Sequence, residues 1–397
     1  MKILSVVGAR PNFMKIAPFI KEIEKYNQYP NYSISHSPSL PLSFPHPIVH
    51  VLVHTGQHYD DHMSKTFFTE LDIPEADINL GIGSGSHAEQ VGKTMIEFEK
   101  VLHLQKPDWV VVVGDVNAIL ACSVTAKKEN IKCCHIEAGL RSGDMSMPEE
   151  INRLVADRIS DLLLTPDLIS SRNLIKEGIP ESRVCFVGNI MIDTLEANRT
   201  KAEKLNLREI CKVNQINSSE FGFNNSLANE YVVLTMHRPS NVDKKEVLEP
   251  IVRFILDEVC SDRVLLWTLH PRTRKMLENF NLFDKVSSQK NLVLLEPLSY
   301  LEMLKLNMEA QIVLTDSGGL QEECTVLGTP CLTLRWNTER PVTLLENGGA
   351  SVLVGNNIDR IRREYNLAIN KPRKPFRPEL WDGHTAERCL KAILEFG

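Results

Sequence analysis

The chain predicts an α/β protein of two doubly wound, parallel-sheet domains in tandem. Three observations carry that prediction. Short apolar runs rich in Val, Ile and Leu recur along the chain and alternate with stretches of helical spacing, the signature of strands covered on both faces. A polar segment from about Lys204 to Glu230, containing NQINSSEFGFNNSLANE, interrupts this rhythm, after which it begins again. The length of 397 residues exceeds that of one ordinary domain.

The elements follow in order. Lys2 to Gly8 reads as a buried strand, and Pro11 suits the first turn of the helix whose apolar positions are Met14, Ile16, Ala17, Ile20 and Ile23. Residues 29 to 48 lie in a proline- and serine-rich, uncharged stretch that reads as a low-complexity surface loop or insertion with no legible function. Val51 to Thr55 is the next strand, with a helix expected from about Met63 to Leu71. A Gly/Ser loop at 82 to 87 precedes a helix over Ala88 to Leu104, then comes a strand at Trp109 to Val113 and a helix at Ala118 to Lys128. Strands at Ile131 to Ile136, Leu162 to Thr165 and Val184 to Val187 bring the first set to about six. The second set is expected at Tyr231 to Leu234, Val264 to Thr268, Leu292 to Leu295, Ile312 to Leu314, Cys331 to Leu334 and Val352 to Val354. The last helix, Thr385 to Glu395, fits either domain. We place the domains at 1–204 and 205–375, with a closing segment at 376–397.

Composition narrows the function classes. The chain is 43% hydrophobic and 24% charged, as in soluble globular proteins. Its 45 basic and 51 acidic residues give a net charge of -6, which offers no reason to expect nucleic acid or an anionic membrane as partner. Nine cysteines, none spaced C-x-x-C and most inside apolar runs, fit free thiols in a reducing cytoplasm and argue against a metal site. The first residues read as a strand, with no signal-peptide pattern, and no apolar run approaches the ~18 to 20 residues of a membrane span.

Chemistry concentrates where predicted strands end. Arg10, Gln57, His58, Asp115, Glu137, His237, Arg238, His270 and Ser317 all stand at or just beyond C-terminal strand ends, where ligands bind in doubly wound sheets. Between two such domains, the interdomain cleft is the expected site. His135 to Arg153, HIEAGLRSGDMSMPEEINR, is the densest stretch of paired acids and bases. Asp115, Glu137 and Glu149 are three carboxylates on consecutive strand ends or loops of the first domain, suited to proton transfer if they converge. Arg141 and Arg153 equally suit ion pairs that neutralise them. TDSGGLQEE at 315 to 323 combines a strand end, the glycines Gly318 and Gly319, and a helix start. That pattern serves phosphate binding or simple capping, with Ser317 as the cap. His237 and Arg238, in MHRPSN, suit a diphosphate or leaving group, or simply a histidine hydrogen-bonded in a loop. Glu339 in RWNTERP suits a ribose hydroxyl or an ordinary helix start. Neither a G-x-G-x-x-G after the first strand nor a Walker lysine motif is present, so NAD or ATP binding lacks support.

Taken together, GARPNFMK at 8–15, HTGQHYD at 54–60, GDVNA at 114–118, HIEAGLRSGD at 135–144, PEEINR at 148–153, HRPSN at 237–241, TDSGGLQEE at 315–323 and NTERP at 337–341 resemble the non-hydrolysing UDP-N-acetylglucosamine 2-epimerase family. The resemblance implies a GT-B-like pair of Rossmann-like domains, with the site in the interdomain cleft and the last helix returning to the first domain. It implies interconversion of UDP-GlcNAc and UDP-ManNAc by anti elimination of UDP to a 2-acetamidoglucal and re-addition, with no cofactor. It further implies a cytoplasmic homodimer supplying ManNAc units for surface polysaccharide. By the same resemblance, Asp115, Glu137 and Glu149 fall on acid/base carboxylates and His237 on a functional histidine. Arg10, Ser317, Gly318 and Glu323 fall on UDP contacts, with Glu323 at the ribose, while Lys15, Arg141 and Arg153 fall on further active-site positions. Gln57, His58 and Gln90 fall where an activating second UDP-GlcNAc is expected, and the insertion at 29–48 departs from the family pattern beside them. The alternatives are a hydrolysing 2-epimerase, a 2-epimerase of a modified UDP-sugar, a GT-B glycosyltransferase and a nucleotide-sugar-binding regulator.

Overall fold

The computed structural model describes residues 1–8, 10–28, 47–56, 71–217 and 230–396. Most of the insertion, the helix expected near 63–71, and Gln57 and His58 lie outside the described residues. The chain divides into two compact units, Met1–Ala197 with Pro378–Gly397, and Asn198–Arg377.

The first unit is built on strands β1 (Lys2–Val7), β2 (Val49–His54), β3 (Ile78–Asn79), β4 (Trp109–Val113), β5 (Lys132–Ile136), β6 (Leu162–Thr165) and β7 (Val184–Phe186). All pairings are parallel, in the order β3-β2-β1-β4-β5-β6-β7. β3 was not foreseen; two residues are too few to show a pattern. The helix predicted after Pro11 runs from Arg10 to Gln28. The next, His87–Gln105, starts at a capping box in which Ser86 and Glu89 exchange side-chain and backbone hydrogen bonds. β4 is buried at every residue, as a central parallel strand must be.

The closing helix, Thr385–Phe396, packs within this unit. Its first turn is held by Asp193, whose Oδ2 accepts from the Ala386 amide at 2.7 Å. The Trp381 indole donates to the Pro166 carbonyl at 2.9 Å, and the Arg388 guanidinium donates to the Val187 carbonyl at 2.6 Å.

The second unit repeats the plan with β8 (Tyr231–Thr235), β9 (Val264–Thr268), β10 (Leu292–Leu295), β11 (Ile312–Thr315), β12 (Cys331–Thr333) and β13 (Ser351–Leu353). They too are all parallel, in the order β10-β9-β8-β11-β12-β13. Two apolar clusters cover its faces, one centred on Trp267, Leu248 and Phe254 and the other on Tyr231, Leu266 and Leu306. Part of the polar segment expected as a junction is structured. Leu207–Asn214 forms a helix with Ile210 and Cys211 buried, and Gln215 bridges to Leu295. In each sheet the order reverses beside its first strand, between β1 and β4 and between β8 and β11. The carboxyl ends of those strands are where ligand chemistry is expected.

Burial pushes the Asp193 carboxyl up to about 6 from 3.8, against the amides of Ala386 and Thr385, which favour its charge. The folded chain therefore holds a proton that the unfolded chain releases between about pH 4 and 6, so stability falls by about 2 to 3 kcal/mol as pH rises through that window. Asp193→Asn keeps an acceptor for Ala386 and removes the charge. Its melting temperature, relative to the parent's, should climb from pH 4 to pH 7.5. A difference that stays constant with pH would contradict this account.

Candidate functional site

At the carboxyl end of β1, Asn12 fixes the turn. Its Oδ1 accepts from the Gly8 amide at 3.3 Å and its Nδ2 donates to the Val113 carbonyl at 2.7 Å, tying the end of β1 to the end of β4. One helical turn on, Lys15 is buried and its ammonium pairs with Oε2 of Glu137, beyond β5. Glu137 is 3% exposed. Its backbone is left-handed, with φ 71°, a conformation costing a non-glycine residue about 1 to 2 kcal/mol. Gly114, with φ 82°, leaves room for this pair. A Cβ there would lie 3.1 Å from Asn12 Nδ2 and 3.2 Å from Lys15 Nζ.

A second layer holds Glu137 in place. The buried ring of His135 meets Asp157 Oδ1 through Nδ1 at 2.6 Å and the Gly114 carbonyl through Nε2 at 2.8 Å. Asp157 Oδ2 also accepts from the Gly139 amide at 3.0 Å and Arg141 Nη1 at 2.7 Å. Burial opposes the Asp157 charge, but His135 and Arg141 prevail and hold its carboxyl below the usual range. Arg141 grips Glu177 as well, at 2.8 and 2.7 Å. The structure thus makes Arg141 a brace between Asp157 and Glu177.

The other two carboxylates lie on neighbouring elements. Asp115 follows β4, and its backbone carbonyl accepts from Asn152 Nδ2 at 2.8 Å. Arg153 is 1% exposed and stands 3.6 Å from Asp115 Oδ2 and 3.4 Å from Glu150 Oε2. None of its three nitrogens makes a hydrogen bond, so a buried cation faces Asp115 with its donors unused. Glu150 is a loop clamp, accepting from the amides of Ser142 and Gly143 at 3.0 and 2.9 Å. Glu149 is half-buried in the first turn of helix Pro148–Ile159, where the dipole favours its charge. Gln90 accepts from Asn117 Nδ2 at 2.8 Å, and Asn117 Oδ1 accepts from Asn152 at 3.3 Å. Arg10 opens the first helix.

In the second unit, a cavity of about 250 Å³ lies over the ends of β8, β9 and β11. Its lining includes Thr235, His237, Thr268, His270, Leu298, Met303, Ser317 and Leu320. The His237 and His270 rings stack at 5.0 Å and 26°. His270 Nδ1 accepts from the Arg272 amide at 3.1 Å. Burial and the neighbouring His237 lower the His270 pKa against the pull of Asp316. Asp316, wholly buried, organises this side. It accepts from the amides of His237 and Arg238 at 3.0 and 2.8 Å and from Asn241 Nδ2 at 3.0 Å, and it stands 3.2 Å from His237 Nδ1. The Arg238 guanidinium returns a bond to the Asp316 carbonyl at 3.1 Å.

Ser317 occupies the N-cap position of helix Gly318–Leu327, but its hydroxyl makes no capping bond, which corrects the expected role. Gly318 lies against two buried ion pairs, Arg335–Glu339 at 2.6 Å and Arg340–Glu322 at 2.7 Å. A Cβ there would come within 2.7 Å of Arg340 Nη1. Glu339, so engaged, is no bare helix-start acid. Glu323 turns toward helix Tyr300–Glu309 and accepts from Asn307 Nδ2 at 3.1 Å, with burial raising its carboxyl to about 7. An apolar wall, two stacked imidazoles and a helix N-terminus suit a flat base joined to an anionic group.

Asp316, Asp157 and His135 were not singled out from the sequence as site residues. An Asp before Ser-Gly-Gly and a His before Ile-Glu were visible, but their partners lie 79 and 22 positions away. Asp157→Asn leaves His135 and Arg141 without their shared carboxylate, and should cost about 3 to 5 kcal/mol in urea unfolding. A cost below about 1 kcal/mol would mean that the network is not a structural support.

A family model described as "UDP-N-acetylglucosamine 2-epimerase" matches residues 45–394. The UDP-N-acetylglucosamine 2-epimerase of Methanocaldococcus jannaschii is 42% identical, covering 100% of both chains. The UDP-2,3-diacetamido-2,3-dideoxy-D-glucuronate 2-epimerase of Pseudomonas aeruginosa is 34% identical over 94% of this chain and 93% of its own. Among solved structures, the M. jannaschii enzyme in complex with UDP-GlcNAc and UDP aligns with TM-score 0.85, covering 100% of both chains at 42% identity. The Neisseria meningitidis UDP-GlcNAc 2-epimerase bound to UDP-GlcNAc aligns at 0.80 and 29% identity, again over 100% of both. The chain belongs to the UDP-N-acetylglucosamine 2-epimerase family.

Proposed function

We propose that the chain interconverts UDP-GlcNAc and UDP-ManNAc without net hydrolysis, supplying ManNAc units for surface polysaccharide. A carboxylate removes the C2 proton, the C1–O bond breaks, and UDP leaves with the electron pair to give a 2-acetamidoglucal. UDP then adds back at C1 while a proton reaches the opposite face of C2. Atoms balance with no external oxidant or reductant.

The observation that carries this reading is Glu137, a buried carboxylate beyond β5 held in strained backbone against Lys15, which stands on the helix after β1 beside the switch point of the first sheet. It joins Asp115 and Glu149 as the acid/base set. Arg153, facing Asp115 with its donors unused, steadies charge there. His237, Arg238, His270, Ser317, Gly318 and Gly319 form the UDP side, where N–H donors and cations meet charge growing on the leaving group. Gln90, linked through Asn117 and Asn152 to the Asp115 loop, is our candidate contact for an activating UDP-GlcNAc. A second reading, a 2-epimerase of a modified UDP-sugar, is favoured by the P. aeruginosa relative.

Anion-exchange separation of products from UDP-GlcNAc tests the reading. UDP-ManNAc should accumulate to an equilibrium mixture, whereas UDP with free ManNAc would overturn the non-hydrolysing assignment. Glu137→Gln should lower kcat by about 10² to 10⁴-fold with UDP affinity nearly unchanged. Near-parental turnover would remove Glu137 from the catalytic set. Ser317→Ala should weaken UDP binding by roughly 3- to 10-fold by calorimetry, and an unchanged Kd would undo the phosphate-side assignment.

A further inference from the structure

The second unit has another cavity, of about 370 Å³, at the opposite edge of its sheet. It opens by the first residues of β12 and β13, away from the strand ends that carry His237 and Ser317. Leu332, Leu345, Val352 and Ala368 give it an apolar floor. One rim is the segment KPRKPFR, residues 371–377, which carries four cations and no acid in a chain of net charge -6.

This segment is pinned in place. The Lys371 amide donates to the Ala368 carbonyl at 2.9 Å, the Lys374 amide to Gly328 at 3.2 Å and the Phe376 amide to Thr325 at 3.0 Å. Pro372 and Pro375 stiffen it further. Arg373 spends donors on the backbone carbonyls of Ala310 and Asn307. Lys371 and Lys374 line the cavity and are exposed, and neither forms an ion pair among the described residues. A preformed apolar hollow rimmed by two available ammonium groups matches one ligand chemistry: a short alkyl body with an anionic head. Nucleotides and sugars fit it poorly, since their polar groups would lose water against Leu332 and Val352 without replacement partners. Its volume is at the small end of the ~300 to 1,000 Å³ typical of ligand sites, which limits the body to a single medium-length chain.

We propose that this cavity is a binding site for a medium-chain carboxylate, separate from the nucleotide pocket. The apolar floor takes the chain and Lys371 and Lys374 take the head.

Decanoate is the probe, titrated by calorimetry into the full-length protein. One saturable equivalent should bind, and saturating UDP should leave its Kd unchanged. Charge reversal in Lys371→Glu/Lys374→Glu should weaken it by about tenfold or more. Val352→Phe, which fills the floor, should abolish binding, and melting curves would confirm that both variants fold. Decylamine, with the same chain and a cationic head, should bind at least about tenfold more weakly. The proposal is overturned by absent or non-saturable decanoate binding, by competition from UDP, or by equal affinity for decylamine. Unchanged affinity in the folded lysine variant would equally defeat it.

Discussion

The first unit depends on the burial of one charge. Glu137 carries a carboxylate into the interior at the end of β5, in a backbone conformation that non-glycine residues avoid. A buried carboxylate is tolerable only when compensated. Lys15 supplies the compensating ammonium, and Gly114 supplies the space. The backbone strain is met by His135 and Asp157, which lock the residues on either side of Glu137 to β4 and to the helix that follows. Such strain survives only where surrounding structure fixes it, and it gathers where function needs a side chain aimed in one direction.

The second unit solves a related problem with Asp316. This carboxylate also sits beyond a central strand and is wholly buried, but its partners are mostly amide donors. By collecting the amides of His237 and Arg238 it fixes the loop after β8, and with it the ring that stacks on His270. In both units, a buried aspartate fixes the position of candidate site residues through several donors at once. Such carboxylates are sensitive points, because removing either leaves several donors unsatisfied at once.

The fold was legible because each central parallel strand is buried on both faces and reads as an unbroken apolar run. Val264–Thr268 and Leu292–Leu295 emerge from the sequence with their observed bounds. The edge strand Ile78–Asn79 does not, because two residues carry no period. The candidate site was legible only as a set of positions. Glu137, Asp115, His237 and Ser317 could be picked out because they stand where strands stop. Their division of labour could not, because it depends on which distant group each one meets. Arg141 and Arg153 look alike in sequence and each stands in two ion pairs, yet Arg141 is hydrogen-bonded to both its carboxylates while Arg153 is buried beside its two without a hydrogen bond. Glu149 and Glu150 are adjacent, yet only Glu150 clamps the loop.

The central claim is that these carboxylates move a proton at C2 of a UDP-sugar. NMR of UDP-GlcNAc turned over in D2O tests it most directly. The account predicts that deuterium appears at C2 of UDP-ManNAc as it forms and at C2 of recovered UDP-GlcNAc as equilibrium is approached. Epimerisation that leaves protium at C2 of both sugars would contradict it.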